Sequence, residues 1–545
     1  GYPSGVNADG PYSAKGAGVA PGVDLYAFTV CSQVSTSCSG VAILQGLDAA
    51  SDLDGNPSTK DPADVVNMSL GAPYGQPEAD DVFLVNELTR YGGIVVISAG
   101  NSGDRPYIVG SPSMASGSIS VAQTTLPSEV YYPISATALT APVLSIAMPW
   151  GGAVTSELSG LLAFDSSTTA NRLGCSNAAG ANPYTGTPFA GQILLVDRGT
   201  CAVSFKVANG QAAGAIAVVV ANNAPSGTYD LPPSFSYGGG TVTIPGLTVT
   251  QADGTALKAV AGQSVTIPAA GVGLNDTVVS TSSRGPRNHD NMLKPDIGAP
   301  GASTSAVAGS GAHSEAFGGT SGAAPMITGS VALLKDFYND GQNFTSPNLI
   351  PQQYKALLMN TANTEIYKNG VGNYLAPISR IGAGQVDLAT AFDARFIAWD
   401  STSADPIDWT GSMSFAYQPV TDTYTATRQL TILNLSPLTS DFTLDYALRY
   451  ADDAPKGVTL DITPYFVAIP GKGTATVEVT LTIDLDAASV LPAWPASFNR
   501  GANGYNGYEL DLVEVDGYLQ VGKLFAGSLD SLINVPFHVL PKAVA

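Results

Sequence analysis

The stretch Gly93-Ile94-Val95-Val96-Ile97-Ser98-Ala99-Gly100-Asn101 decides the fold class of this chain. Four consecutive β-branched residues follow a glycine and are followed at once by small and polar residues. A fully apolar run of this length is typical of a strand that is buried on both faces of a parallel sheet. The stretch therefore predicts a central strand whose carboxyl end carries residues 98–101.

Strand and helix patterns alternate in the residues that precede this stretch. Apolar residues at 23–30 and 65–70 predict strands, whereas their spacing after Ser39 and over 80–91 predicts helices. A strand–helix–strand–helix–strand order is typical of an α/β fold with a parallel sheet and helices on both faces. Because ligands bind at the carboxyl ends of such strands, residues 67–71 are a second candidate site segment.

In the rest of the chain the type of predicted element changes twice, from β-rich to helical and then to β-rich again. The patterns predict elements at 192–196, 217–220, 241–244, 323–338, 351–362, 426–432 and 474–481. The short alternating strands near the C-terminus predict an all-β sandwich. The expected domains are a core made of 1–135 and 273–397, a β-rich insert of 136–272 and a C-terminal domain of 398–545.

The charge of the chain argues against several classes of function. Its 545 residues include 44 Asp and Glu against 23 Lys and Arg, which gives a net charge of −21. Nucleic acids and anionic membranes repel such a chain. There is no run of about 18 apolar residues, so no transmembrane helix is predicted. We expect a secreted monomer without nucleic-acid or membrane partners.

Four cysteines are present, namely Cys31, Cys38, Cys175 and Cys201. Four cysteines allow three pairings. Pairing neighbours, 31 with 38 and 175 with 201, keeps each disulfide within one predicted domain. A metal site is the alternative, although neither a C-x-x-C motif nor a nearby histidine supports it.

The sharpest chemical motif is Gly318-Gly319-Thr320-Ser321-Gly322-Ala323-Ala324-Pro325, which precedes an apolar helical run. A serine at a helix start exposes its hydroxyl, and its own N–H points to where an oxyanion forms. The alternative is that Thr320 or Ser321 only caps the helix. Asn101 can supply a second oxyanion donor, although an isolated Asn after a strand is more often a turn residue.

Several further segments occur in a familiar order and spacing. They are Gly18-Val19-Ala20-Pro21, the run 64–71, Ser282-Ser283-Arg284-Gly285-Pro286 and the run 294–301. Together with Asn101 and Ser321, this set resembles the subtilisin-like serine proteases. The resemblance covers about 1–135 and 273–397. It implies an endopeptidase that acts on proteins or peptides and whose chemistry requires no cofactor or metal.

The resemblance also implies roles for individual residues. Ser321 would be the nucleophile and Asn101 the oxyanion-hole donor. Two groups would bind the substrate, one by pairing with its backbone as an added strand and one by forming the primary specificity pocket. The first group is Ser69, Leu70 and Gly71, and the second is Ser98, Ala99 and Gly100, with Gly110 near the base of the pocket.

Two other regions are similar to domains that accompany such proteases. The insert resembles a protease-associated domain through Gly191-Gln192-Ile193-Leu194-Leu195-Val196-Asp197-Arg198-Gly199 and Ala212-Ala213-Gly214-Ala215. The C-terminal region looks like the fibronectin-type sandwich that follows the catalytic domain in some large subtilases.

The sequence also departs from the family pattern. Gly322 and Met326 replace the Met and His that many members carry after the serine. The family takes its base from an H-G-T-H segment and its orienting Asp from a strand ending in Asp-Thr/Ser-Gly, and neither segment occurs here. We therefore expect an N-terminally truncated sequence that is inactive by itself.

Substitutes for the missing triad residues are few. Of the histidines at 289, 313 and 538, only His313 lies close in sequence to Ser321, eight residues before it. Asp165 and Asp197 follow apolar strands but fall in the predicted insert.

Three alternatives stay open. A sedolisin-like peptidase would carry an Asp where this chain has Asn101. A catalytically inactive protease scaffold would act instead as an extracellular binding protein. Separately, Asp52-x-Asp54-Gly55-Asn56 has alternating oxygen ligands like part of a calcium loop, although a solvated turn is the simpler interpretation.

Overall fold

The computed structural model describes residues 18–32, 37–56, 61–126, 129–223, 231–235, 237–274, 276–306, 314–339, 349–368, 374–486, 491, 493–495 and 507–544. Its strands are β1 Val65–Met68, β2 Ile94–Ser98, β3 Ile119–Thr124, β4 Val130–Ile134, β5 Val143–Ala147, β6 Leu158–Ala163, β7 Ile193–Asp197, β8 Ala217–Ala221, β9 Gly246–Val249, β10 Ser264–Ile267, β11 Val272–Gly273, β12 Ile297–Pro300, β13 Ser303–Ala306, β14 Ser314–Phe317, β15 Phe396–Asp400, β16 Met413–Val420, β17 Thr423–Asn434, β18 Ser440–Leu448, β19 Val458–Thr463, β20 Phe466–Ile469, β21 Thr474–Asp484, β22 Val515–Phe525 and β23 Ser528–Ala543. Its α-helices are α1 Gly40–Ser51, α2 Asp80–Arg90, α3 Thr169–Leu173, α4 Val203–Ala212, α5 Gln251–Ala259, α6 Thr320–Asn339, α7 Pro351–Asn360, α8 Ile378–Ile381, α9 Leu388–Asp393 and α10 Gly507–Val513.

A parallel sheet of order β1-β2-β3-β12 carries the predicted site segments at its carboxyl edge. The fully apolar strand β2 is buried on both faces, as the opening stretch predicts. Ile94 and Val96 pack against helix α6, whereas Val95 and Ile97 pack against α1 and α2. Helices therefore cover both faces, and the predicted α/β architecture is confirmed.

Two predicted strands are wrong. Residues 23–30 form no strand, and Leu25 and Tyr26 are 62% and 64% exposed, because the described sheet ends at β1 and offers them no partner. Residues 241–244 are also not a strand. The ladder with β8 is formed instead by β9, whose Leu247 and Val249 are buried.

A second sheet has the order β10-β6-β7-β8-β9-β5-β4-β11. Strands β6 to β9 run parallel, and the flanking strands pair antiparallel. The predicted strands at 192–196 and 217–220 are confirmed as β7 and β8. Helices α4 and α5 contact this sheet, so strand composition alone underestimated the helical content of the region.

The C-terminal region contains a sheet of order β15-β17-β21-β19 and another of order β16-β23-β22-β18-β20. All their pairings are antiparallel except that of β16 with β23. Residues of both sheets, such as Leu430 and Val479 of the first and Phe442 and Leu519 of the second, share one apolar core.

Buried charges join the C-terminal region to the part of the chain that carries the parallel sheet. The guanidinium of Arg284 is fully buried and contacts Asp104 at 3.1 Å, Asp511 at 2.5 Å and Glu514 at 2.5 Å. Burial raises the pKa of Glu514, but the charge of Arg284 and the contact with His538 outweigh it and lower the pKa to about 2. These ion pairs therefore fix the two regions against each other.

The cysteines pair as neighbours, and the prediction is confirmed. Cys31 is bonded to Cys38, and Cys175 is bonded to Cys201. In the described part of the chain, no helix is both long and apolar enough to cross a membrane.

Candidate active site

Helix α6 begins at Thr320, so Ser321 lies in its first turn, as the Gly-rich motif predicts. Gly319 has a φ of +87°, and a Cβ there would lie 2.9 Å from Asn101 Nδ2. A Cβ on Gly322 would lie 2.0 Å from the carbonyl oxygen of Gly301. The small residues therefore let the helix start approach two loops closely.

The side-chain amide of Asn101 is held at one end. Its Oδ1 accepts the backbone N–H of Thr320 at 2.9 Å and the Thr320 hydroxyl at 3.0 Å. A backbone N–H can only donate, so the partner identifies the oxygen end of the amide. The Nδ2 end therefore lies on the other side of the amide, beside Gly319 and the start of α6. Asn101 therefore caps the first turn of α6 from a loop 219 residues away, a contact that sequence spacing did not indicate.

Ser321 and Ser69 exchange hydrogen bonds. The hydroxyl of Ser321 donates to the carbonyl oxygen of Ser69 at 3.4 Å, and the hydroxyl of Ser69 donates to the carbonyl oxygen of Ser321 at 2.8 Å. The end of strand β1 is thereby attached to the residue that the motif singles out.

The predicted substrate-binding segments also lie together. Ala72 and Ser111 form an antiparallel bridge with N···O distances of 2.9 and 3.0 Å, which aligns Leu70 and Gly71 beside the segment that contains Gly110. A Cβ on Gly110 would lie 2.2 Å from the Ala72 carbonyl oxygen, so only glycine fits this approach. Leu70, Gly71 and Gly110 therefore lie together on one side of the candidate cleft.

The other wall consists of residues 98–100 at the end of β2. Ser98 and Ala99 are buried, and the Ala99 N–H donates to the carbonyl oxygen of Val121. The Gly100 N–H donates to the hydroxyl of Thr320 at 3.2 Å. This wall is therefore attached to the same helix start that holds Asn101.

The loop after Asn101 is held in place by contacts of Ser102 with Ser283 and of Asp104 with buried arginines. The Ser102 N–H donates to the Ser283 hydroxyl at 3.1 Å, and the Ser283 N–H donates to the carbonyl oxygen of Gly100. Burial raises the pKa of Asp104, but the charges of Arg380 and Arg284 outweigh it and hold the pKa below its usual value. Asp104 is therefore a buried anchor of the loop rather than an acid–base group.

No histidine is recorded among the hydrogen-bond partners of Ser321 within the described ranges. His538 is buried against Glu514 at 3.1 Å, and His289 lies in a turn with φ +85°. His313 lies outside the described residues.

The two aspartates that follow apolar strands do not replace a triad acid. Asp197 pairs with Lys258 at 2.6 Å and with Arg172 at 3.5 Å, and Asp165 accepts hydrogen bonds from Ser167 and Asn171. Both carboxylates therefore already have ion-pair or hydrogen-bond partners in the region of the eight-stranded sheet.

One acidic cluster could hold a metal ion in the part of the chain that the structure describes. Carboxylate oxygens of Asp52, Asp54 and Asp61 lie within 4.8 Å of one another. Burial and the neighbouring Asp54 raise the pKa of Asp52. The sequence pattern missed Asp61, because it lies seven residues after Asp54 and beyond the turn that the motif covers.

Comparison with known proteins identifies the family of the chain. The subtilase family model matches residues 4–384. The chain is 28% identical to the minor extracellular protease Vpr of Bacillus subtilis over 87% of its own length and 54% of that protein. It is 29% identical to the PII-type proteinase of Lactococcus lactis over 72% of its length and 22% of that protein.

A more local match is that to the C5a peptidase of Streptococcus pyogenes, which is 28% identical over 38% of this chain and 18% of that protein. The chain thus spans about half the length of Vpr and about a fifth of the other two relatives. The family match covers well over half of the sequence and includes every predicted site residue. The chain therefore belongs to the subtilase family.

Proposed function

We propose that the protein is a serine endopeptidase in which Ser321 is the nucleophile. The Ser321 oxygen attacks the carbonyl carbon of a peptide bond, the C–N bond breaks, and the hydroxyl proton is transferred to the leaving amine. Water then cleaves the acyl ester, giving a carboxylic acid and returning a proton to the Ser321 oxygen. The Asn101 Nδ2 and the Ser321 N–H stabilise the negative charge on the carbonyl oxygen during each step. The substrates are proteins or peptides.

The observation that carries this proposal is the orientation of Asn101. Its oxygen is committed to Thr320, so the amide can present only N–H groups to the space beside Ser321. An oxyanion hole needs donors fixed before the reaction begins, because reorienting them during the reaction would cost free energy. A turn residue would not need this double anchoring.

Substrate binding in this proposal uses the two walls of the cleft. An extended peptide pairs with the backbone of Ser69, Leu70 and Gly71, while its side chain enters the pocket of Ser98, Ala99, Gly100 and Gly110. The close backbone approach at Gly110 supports this division, since it keeps the pocket free of side chains at that position.

The proposal assigns the base to no residue of the described chain. The lack of an assigned base among the described residues supports one competing hypothesis, namely that the protein is an extracellular binding protein on an inactive protease scaffold. An active serine needs a base within hydrogen-bond reach, and the recorded partner of the Ser321 hydroxyl is a carbonyl oxygen.

We further propose that residues 136–272 form a protease-associated domain and 398–545 a fibronectin-type sandwich, with 1–135 and 273–397 as the catalytic core. The eight-stranded sheet and the shared core of the two C-terminal sheets support three such units. The sheets shift the bounds slightly, because the eight-stranded sheet already includes β4 Val130–Ile134 and the C-terminal core already includes Phe396. Extracellular location is supported by two disulfides and by the extracellular relative Vpr. The cluster at Asp52, Asp54 and Asp61 is a proposed structural calcium site.

The test combines covalent labelling with hydrolysis. Residues 1–545 alone should be inactive, because they contain neither an H-G-T-H segment nor a strand ending in Asp-Thr/Ser-Gly. This test and the later activity measurements therefore use a protein extended at its N-terminus to include both segments. A fluorophosphonate probe should label this extended protein at Ser321, and the extended protein should cleave unfolded casein. Ser321→Ala should abolish both signals, whereas Ser330→Ala, a buried serine of the same helix, should keep them. A protein that binds peptides but is neither labelled nor able to cleave casein would be the binding protein of the competing hypothesis.

A further inference from the structure

Helix α6 contains a proline that affects the proposed nucleophile directly. In an α-helix, the carbonyl oxygen of one residue accepts the N–H of the residue four positions later. For Ser321 this later residue is Pro325, which has no N–H. The carbonyl group of Ser321 therefore lacks its ordinary helical donor.

A side chain from another element supplies a donor in its place. The hydroxyl of Ser69, just beyond strand β1, donates to the Ser321 carbonyl oxygen at 2.8 Å. The two residues are 252 positions apart in sequence, so this bond attaches the first turn of α6 to the sheet. It acts on the backbone of Ser321 itself.

The Ser69 hydroxyl is oriented by two further groups. The Asn67 Nδ2 donates to the Ser69 oxygen at 3.1 Å. The Thr328 hydroxyl shares its single proton between the carbonyl oxygen of Ala324 at 3.0 Å and Asn67 Oδ1 at 3.2 Å. A carbonyl oxygen can only accept, so the bond between the two residues requires the Ser69 proton to point to Ser321. Thr328 lies two turns after Ser321 on the same helix, so the chain of bonds closes on one helix face.

We propose that the Ser69 hydroxyl positions Ser321 by replacing the hydrogen bond that Pro325 removes. This inference rests on the proposed function and adds a positioning role to a residue otherwise assigned to substrate pairing through its backbone. The bond holds the Ser321 backbone at a fixed distance from Asn101, so that nucleophile and oxyanion donor stay aligned. Small displacements of a reacting group strongly lower the reaction rate.

The first measurement is steady-state peptide hydrolysis by the protein and its Ser69 variants. Ser69→Ala should lower kcat by about ten-fold or more and change KM less than about two-fold, because the substrate-pairing backbone stays in place. Ser69→Thr keeps a hydroxyl and should restore most of kcat. Loss of packing alone would not be rescued in this way.

The second measurement is a double-mutant cycle with Pro325→Ala, which returns an N–H to position 325. In that background the helix supplies the donor, so Ser69→Ala should lower kcat and melting temperature much less than it does with proline present. Ser330→Ala is the matched control, because the Ser330 hydroxyl bonds the Met326 carbonyl within the helix. Its effect should be the same in both backgrounds.

Other results of these measurements would refute either the positioning role of Ser69 or the proposed function. Equal kcat losses from Ser69→Ala in both backgrounds would overturn the positioning role. Coupling in melting temperature without any change in kcat would also overturn it, because the contact would then be structural only. Absence of Ser321-dependent hydrolysis in the unaltered protein would refute the proposed function, and the positioning role with it.

Discussion

Asn101 shows how a single residue acquires a chemical direction from its neighbours. Thr320 occupies the oxygen end of the Asn101 amide through both its backbone N–H and its hydroxyl. Because the amide group is planar, fixing its oxygen end also fixes the direction of its nitrogen end. The bound ground-state carbonyl and the tetrahedral oxyanion differ in charge and position, so such a donor acts mainly in the transition state.

Replacement of Asn101 by Ala should therefore lower kcat by about 10²–10³ and leave KM nearly unchanged. Asn101→Asp should also be poor, because a carboxylate repels the developing negative charge. The check is kcat, KM and melting temperature measured on the same variants. Full activity in Asn101→Ala, with only a lower melting temperature, would show that Asn101 is a turn residue.

At this scale the sequence indicated which residue types come together but not how they are joined. Ser321 and Asn101 were recognisable from small residues at a helix start and from a strand end. The anchoring role of Thr320 and the hydroxyl contact of Ser69 were not, because their partners lie more than 200 residues away. Periodicity describes a residue's own element and contains no information on distant partners.

Two elements of the cleft depend on a close backbone approach between residues 70–72 and 110–111. A Cβ on Gly110 would overlap the Ala72 carbonyl oxygen at 2.2 Å, and a backbone atom cannot move aside as a flexible side chain can.

Gly110→Ala should therefore destabilise the protein by about 1–3 kcal/mol, the usual cost of overpacking, and weaken substrate binding. Gly40→Ala is the matched control, since nothing lies within 4 Å of a Cβ at that helical position. It should be neutral or stabilising by up to about 1 kcal/mol. Denaturant unfolding of both variants measures the two changes in the free energy of unfolding. Equal changes would refute the steric argument.

The two disulfides close loops of different length, with sequence separations of 7 and 26 residues. Because loop-closure entropy grows with loop length, removing the Cys175–Cys201 bond should cost about 1 kcal/mol more than removing Cys31–Cys38. Paired Cys→Ser variants compared by denaturant unfolding test this. A larger loss at Cys31–Cys38 would contradict the loop-length argument.

The elements themselves were predictable where burial and length agreed. Strand β2 is fully buried and is apolar over Ile94–Ile97, so its sequence favoured no other structure. Residues 23–30 are also rich in apolar residues, but a strand exists only when a neighbour accepts its hydrogen bonds. At 241–244 the β-branched residues fit a strand, yet pairing with β8 begins only after Pro245. Composition cannot reveal which segment a neighbouring strand selects.

On the scale of the whole molecule, Arg284 joins Asp104 of the parallel-sheet region to Asp511 and Glu514 of the C-terminal region. All four groups are largely or fully buried. Removing one partner of a buried ion pair strongly lowers the free energy of unfolding, because the remaining charge stays buried without a partner.

Glu514→Gln should therefore lower the free energy of unfolding by about 3–5 kcal/mol at neutral pH. The folded-state pKa of Glu514, about 2, lies below its ordinary value of 4.5. The carboxylate thus stabilises the fold above pH 4.5, and this contribution is lost as the pH falls towards 2. The difference between the variant and the unaltered protein should shrink over that range.

Urea unfolding at several pH values between 7 and 2 measures this dependence. Glu87→Gln is a suitable control, because Glu87 pairs with Arg90 at the surface and its loss should cost less than about 1 kcal/mol. A difference for Glu514→Gln that stays constant with pH would contradict the ion-pair assignment.

The same buried arginine limits how this protein can be recombined with others. A chimaera that exchanged its C-terminal region for a foreign module would leave Arg284 enclosed without Asp511 and Glu514. A guanidinium group does not release its proton in proteins, so it cannot escape the cost by becoming neutral. A foreign module would be compatible only if it brought carboxylates to the same two places, or if Arg284 were replaced by an uncharged residue in the same step.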